Sequence, residues 1–231
     1  MAKIPKIALI GNPNAGKSSL FNTLTGLRQK TGNFPGVTMD KLTGIWELGP
    51  KNEIEILDLP GIYSIYPKSI DEELVINILG NPAHPDYPDM AIVVADASNL
   101  KRNLLLFSQV RDLGIPTVLA LNMIDVAENE GYVINSIKLA RELSVEVAEV
   151  NAKKGIGMNG LKLSVQKTLE NRFASNDGLP LPVSDELITE IQAAFGEVDP
   201  YRCLLWLMEH DRMKMFTKAQ CDVLDQITVK H

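Results

Sequence analysis

Residues 7–21 read Ile7-Ala8-Leu9-Ile10-Gly11-Asn12-Pro13-Asn14-Ala15-Gly16-Lys17-Ser18-Ser19-Leu20-Phe21. An apolar run of strand character leads into G-x-x-x-x-G-K-S, and a helical pattern follows at once through Leu24. That strand–loop–helix context is what a phosphate-binding loop requires. Its glycines let the backbone curl so that successive N–H groups converge on phosphate oxygens. The positive end of the following helix faces the same point. Lys17 is expected to reach the outer phosphates, and the Ser18 hydroxyl to ligate Mg2+. Gly11, Asn12, Asn14, Ala15, Gly16 and Ser19 complete the candidate phosphate site. The stretch predicts a nucleoside triphosphate as ligand.

Outward from this loop, apolar runs alternate with helical patterns as far as residue 170. Strands are expected at Lys6–Ile10, Leu42–Leu48, Ile54–Asp58, Met90–Asp96, Pro116–Leu121 and Val145–Val150. The short Gly-Pro-Lys-Asn connection at 49–52 predicts an antiparallel hairpin between the second and third of these. Helical stretches such as Lys17–Gly26, Leu100–Leu113 and Ser136–Leu143 separate most of the others. This alternation predicts an α/β fold, a P-loop, doubly wound and mostly parallel sheet. Continuous apolar runs such as Ala91-Ile92-Val93-Val94-Ala95 fit burial on both faces.

Two more strand ends carry chemistry. Glu55-Ile56-Leu57 ends in Asp58-Leu59-Pro60-Gly61, a D-x-x-G element about forty residues past Lys17. Asp58 is expected to hold the Mg2+ hydration shell and the Gly61 N–H to meet the γ-phosphate. Val118-Leu119-Ala120-Leu121 ends in Asn122-Met123-Ile124-Asp125. The Asp125 carboxylate can accept from both the ring N1–H and the 2-amino group of guanine, a donor pair that adenine lacks. Asn122 is expected to brace the loop and contact N7. Past the sixth strand, a backbone N–H of Asn151, Ala152 or Lys153 stands where it could meet the guanine carbonyl. Between the phosphate loop and Asp58 lies Thr31-Gly32-Asn33-Phe34-Pro35-Gly36-Val37-Thr38. A loop threonine here can ligate Mg2+ and bond the γ-phosphate, so that phosphate loss releases the segment. Thr38 is preferred over Thr31 and Thr43 because Pro35-Gly36 turns the chain just before it, with Gly36 and Val37 beside the nucleotide.

Composition bounds the rest. With 231 residues there is room for a nucleotide-binding domain at 1–170 and an appendage at 171–231. The turn-rich Ala174–Pro180 reads as a linker. Ser184 then caps a helix bearing Leu187, Ile188, Ile191, Ala194 and Phe195, and Asp199-Pro200 starts another. Tyr201, Leu204, Leu205 and Met208 form a helical stripe, and Thr217 with Gln220 makes a capping box before Val223, Leu224 and Ile227. These stripes, Trp206 and Met208 included, are expected to pack as core. A net charge of −6 argues against a broad nucleic-acid face. Cys203 and Cys221 are expected as reduced core thiols, and His84, His210 and His231 have no metal-ligand spacing. The N-terminus reads as lacking a signal peptide, and no stretch reaches the roughly 20 apolar residues of a membrane span.

Three stretches together carry a family likeness: Gly11–Lys17, Gly32–Thr38 and Asp58-Leu59-Pro60-Gly61-Ile62-Tyr63-Ser64. On these the sequence resembles the GTPase domain of FeoB-type ferrous-iron transporters of bacteria. The resemblance implies GTP hydrolysis to GDP by Lys17, Thr38, Gly61 and Asn14, with Mg2+ held by Ser18, Thr38 and, through water, Asp58. It implies K+ on Asn14, where that ion would stand in for an arginine finger. A helical domain likened to a dissociation inhibitor is implied after the GTPase, and a membrane permease in the same polypeptide, on the cytoplasmic side of the inner membrane. A homo-oligomer stays open. Three residues depart from common GTPase patterns. Ile62 stands where Ras-like enzymes carry a water-orienting glutamine, which predicts slow turnover. Met123 replaces a lysine and Asn151 a serine, which predicts weak, fast-exchanging nucleotide. The competing reading is a soluble Era-like GTPase acting on ribosome or tRNA. It calls for a basic appendage, and residues 171–231 carry six Lys/Arg against ten Asp/Glu.

Overall fold

The computed structural model describes residues 4–26, 29–34, 39–50, 52–171 and 183–231. Seven strands form one sheet: β1 (Lys6–Gly11), β2 (Gln29–Asn33), β3 (Asp40–Gly49), β4 (Asn52–Asp58), β5 (Met90–Asp96), β6 (Thr117–Asn122) and β7 (Glu146–Glu149). Their order across the sheet is β2-β3-β4-β1-β5-β6-β7. All pairs from β4 to β7 are parallel, and β3 runs antiparallel to both β4 and β2. The expected fold class and hairpin are therefore present. The chain places β4 on one side of β1 and β5 on the other, so the β1 carboxyl end is the point of strand-order reversal where such sheets bind ligands.

One strand departs from expectation. Thr31, Gly32 and Asn33, read above as loop, lie in β2 and pair with Leu42, Lys41 and Asp40. The segment Gln29-Lys30-Thr31-Gly32-Asn33 has no apolar alternation because it is an edge strand with almost every side chain exposed. Thr31 and Thr43 are thus both strand residues, Thr43 buried in β3. Gly36, Val37 and Thr38 lie outside the described residues.

Helices cover both faces. Ile7, Leu9, Ile92 and Val94 pack with α1 (Lys17–Thr25) and α6 (Met158–Glu170), through Leu20, Phe21, Leu161 and Val165. Ala8, Ile10, Ala91 and Val93, one residue out of phase, pack with α2 (Ile70–Leu79) and α3 (Leu100–Asp112). The two-residue period with apolar residues in both phases is the signature of strands buried on both sides. Between β6 and β7 come α4 (Ile124–Asn129) and α5 (Ser136–Leu143).

Three further helices follow: α7 (Asp185–Phe195), α8 (Pro200–Glu209) and α9 (Lys218–Lys230). Ser184, Asp199 and Thr217 cap them as expected, the last in a complete capping box. Their buried residues Leu187, Ile191, Cys203, Leu205, Trp206 and Ile227 join the same core as α2 and α3. Polar contacts follow the same seam. The Trp206 indole donates to Gly80 O at 3.0 Å, and Arg202 donates to Leu113 O at 2.6 Å and to the Tyr87 hydroxyl at 2.9 Å. Asn77 takes Lys214 N at 2.7 Å and donates to Arg212 O at 2.9 Å. Edge-on contacts join the half-buried Phe195 and Phe216 to each other and to buried Trp206.

Met208, expected in the core, is instead 62% exposed. Docking on α2 turns the Cys203–Trp206 face of α8 inward, which rotates Met208 out to solvent. Ala194 and Val223 are exposed as well. Both cysteines are free thiols; Cys203 is fully buried, Cys221 only partly. Burial pushes the Cys203 thiol up to about 11. The expected linker, Ala174–Pro180, lies outside the described residues.

Asp86, in the α2–β5 connection and 2% exposed, ties distant strands together. Its Oδ1 accepts from Lys6 at the start of β1 at 2.8 Å and from Lys41 of β3 at 2.5 Å. Burial opposes ionisation of Asp86, but the hydrogen bonds from Lys41 and Lys6 outweigh it and hold the carboxyl below the usual range. A folded-state pKa below the unfolded one adds stability above the unfolded value, and that stability is lost as pH falls through the folded value. Asp86→Asn is expected to cost about 3 kcal/mol at pH 7 in urea unfolding. The difference from wild type should shrink as pH falls below the usual aspartate range, and a constant difference across pH would contradict this role.

Candidate nucleotide-binding site

The parallel register aligns the carboxyl ends of β1, β4, β5 and β6 on one edge: Leu9 is level with Asp58, Gly11 with Val94, and Asp96 with Asn122. The loop from Gly11 to Ser18 leaves β1 at this edge and enters α1. Ala15 N closes a turn onto Asn12 O at 3.1 Å, and Asn14 is left-handed at φ 67°. Gly16 is left-handed at φ 87°, and a Cβ there would fall 2.1 Å from Asn122 Nδ2. Only glycine fits both demands. Ser18 and Ser19 are exposed at the start of α1.

Lys17, by contrast, is buried, and its ammonium pairs with Asp58 Oδ1. Burial pushes the Asp58 carboxyl up, and the Lys17 charge and hydrogen bond pull against that without cancelling it. The chain after Asp58 stays close to the phosphate loop. Leu59 N bonds Leu9 O at 3.1 Å, and Ile62 N bonds Gly11 O at 3.2 Å. A Cβ on Gly61 would sit 3.3 Å from the Pro13 backbone, so the small residue permits this approach. Ile62 is 1% exposed and offers no polar side-chain atom to a water. The Asn12 side chain is buried, and neither of its amide atoms has a hydrogen-bond partner among the described residues.

The other half of the site is built on β6 and the loop after β7. Asn122 is buried and uses both ends of its amide, Nδ2 to Ala15 O at 2.9 Å and Oδ1 from Ala152 N at 3.0 Å. It therefore clamps the phosphate loop to the Asn151–Lys154 loop. Met123 is left-handed at φ 61° and opens α4, which carries Asp125. Asp125 Oδ2 accepts from Asn151 Nδ2 at 2.9 Å and from Lys154 Nζ at 2.8 Å. The Lys154 hydrogen bond holds the Asp125 carboxyl below the usual carboxylate range, with desolvation opposing it. Lys153 is exposed.

The described candidates thus come to one sheet edge, phosphate-loop residues with Asp58 and Gly61 on one side and Asn122, Met123, Asp125, Asn151 and Ala152 on the other. Two residues were missed. Thr23 Oγ1 of α1 donates to Ala152 O at 2.8 Å, across 129 positions of sequence that no local pattern spans. Lys154 adjoins the expected Asn151–Lys153 loop, but only the fold shows its contact with Asp125.

A phosphate loop, a D-x-x-G strand end and a braced N-x-x-D element on this sheet define a P-loop G domain. The sequence model for the family described as "Ferrous iron transport protein B" matches residues 5–165, and the chain belongs to this family. It is 42% identical over 165 residues to the Fe(2+) transporter FeoB of Leptospira biflexa, which covers 71% of this chain and 23% of that protein. The chain therefore spans about a quarter of that relative's length. Among solved structures, the cytosolic domain of L. pneumophila FeoB superposes with TM-score 0.78 at 33% identity, over 96% of this chain and 88% of that one. A mutant S. thermophilus NFeoB bound to GDP gives TM-score 0.75 at 32% identity, over 99% and 89%. The chain is accordingly a G domain of the ferrous-iron transport family. This membership disfavours the ribosome- or tRNA-directed reading. Among the described residues no helix is long and apolar enough to cross a membrane.

The clamp itself can be tested. Asn122→Ala leaves a buried carbonyl and a buried N–H without partners, so a stability loss of about 2–3 kcal/mol is expected in urea unfolding. A loss under about 0.5 kcal/mol would show that the two loops hold together without it.

Proposed function

We propose that this chain binds GTP with Mg2+ and hydrolyses it slowly, with K+ assistance, as the regulatory portion of a ferrous-iron transporter. One observation carries the reading: Asn122 fixes the phosphate loop and the Asn151–Lys154 loop, whose Asn151 holds Asp125, at a set distance, so one ligand with phosphates at one end and guanine at the other meets both. The residues suit a divalent ion. Ser18 and Asp58 offer the hard oxygen donors that Mg2+ prefers. Buried Asn12 retains unused polar atoms in the same loop. Asn14 contributes an exposed neutral amide for a monovalent cation. When bound, the two ions would neutralise charge on the terminal phosphates.

The chain's own groups divide the work. Lys17 exchanges its Asp58 partner for the outer phosphates, which frees the carboxylate toward the Mg2+ hydration shell. The Gly61 N–H meets the γ-phosphate, and Thr38 is assigned the second hydroxyl. Buried Ile62 cannot orient water, so backbone groups must do so, which supports slow turnover. Asn151 donates to Asp125 and so fixes the carboxylate that reads the base. The length of the relatives beyond the matched part supports a permease in the same polypeptide, with this chain on the cytoplasmic face of the bacterial inner membrane.

Asp125→Asn is expected to weaken GTP binding at least about tenfold and to improve xanthosine triphosphate binding. Equal affinities in variant and wild type would remove the guanine assignment. For the cation, Asn14→Gly keeps the left-handed backbone while deleting the amide. Single-turnover phosphate release should then lose its preference for K+ over Na+, and a retained preference would rule out Asn14 as the ligand.

A further inference from the structure

One oxygen of the Asp125 carboxylate, Oδ2, already has two donors. A carboxylate oxygen has two lone-pair directions. On Asp125 Oδ2 these go to Asn151 Nδ2 at 2.9 Å and Lys154 Nζ at 2.8 Å. Guanine presents two N–H donors side by side, and a carboxylate receives them one on each oxygen. One of the present donors must therefore leave Oδ2 before the base can engage both oxygens.

The two donors are unequally held. Asn151 is fixed on three sides: its N–H bonds Ile156 O at 3.0 Å, its carbonyl takes Ile156 N at 3.2 Å, and its Oδ1 takes Lys154 N at 3.0 Å. The Lys154 side chain is 60% exposed, and its ammonium is bonded to Asp125 alone among the described residues. An exposed ammonium on a four-carbon stem leaves such a pair at little cost, whereas moving Asn151 would break the loop.

We propose that Lys154 is a reversible plug of the base-reading carboxylate, an ammonium that occupies Asp125 in place of the guanine donors and so sets affinity and exchange rate for guanine nucleotides. The proposal rests on the assignment of Asp125 to guanine. It gives weak, fast-exchanging binding a cause separate from the replacement of lysine by Met123.

The test is equilibrium and stopped-flow binding of N-methylanthraniloyl-GDP to wild type, Lys154→Ala and Lys154→Arg. Removing the plug is expected to tighten binding about 2- to 5-fold, the range that an exposed ion pair commands. Arg, which can also pair with Asp125, should restore the wild-type value. The gap between wild type and Lys154→Ala should narrow at 1 M KCl, about where screening reaches 3 Å. Thermal unfolding should be unchanged, so that a packing defect is distinguished. If wild type prefers GDP over ADP but Lys154→Ala binds GDP equally or more weakly, the plug is wrong and the guanine reading stands. If wild type does not prefer GDP, both fall.

Discussion

The side chain of Asn122 is the interaction on which the site depends. It ends β6, is buried, and joins Ala15 O on one side to Ala152 N on the other. A buried amide with both ends satisfied is rigid, because each end would lose a hydrogen bond with no water to replace it. The distance between the phosphate loop and the base loop is therefore set by one side chain. Gly16 is the counterpart of this constraint, since any side chain there would strike the amide. Thr23 Oγ1 on Ala152 O adds a second tie between α1 and the same loop.

A second seam extends the core beyond the sheet. The helices α7 to α9 add their apolar residues to the cluster already formed by α2 and α3. The chain between Gly61 and α2 takes part, for Tyr66 donates to the Tyr201 hydroxyl at 3.3 Å and Pro67 O accepts from Arg212. The segment that begins at the phosphate loop with Asp58 and Gly61 thus ends against the helical part. Trp206 donating to Gly80 O fixes the far end of α2 in the same way. Continuous packing transmits displacement because cores at crystal-like density do not deform smoothly.

Much of this was legible in residue order. The strand ends at Asp58 and Asn122, the helix Ser136–Leu143 and the caps at Ser184, Asp199 and Thr217 all follow from local signals a few residues long. The edge strand β2 was not, because Gln29–Asn33 carries no apolar phase and exists through its ladder with β3. Helical period alone places Met208 in the core; Tyr201, Leu204 and Leu205 of the same stripe do pack there, and Met208 falls beyond the buried face. The docking of α8 on Gly80 and Leu113 chose the face.

The sequence by itself determined the chemistry: a phosphate loop between strand and helix, an acid at the end of β4, and an N-x-x-D element at the end of β6. Each is contiguous, and its function lies in backbone geometry that short spacings dictate. Only the tertiary structure decided what those groups touch. That Lys17 meets Asp58, Asn122 bridges two loops and Lys154 sits on Asp125 depends on partners 29 to 107 residues apart. Such contacts arise from strand register and helix docking, and hydrophobic burial over the whole sheet fixes both.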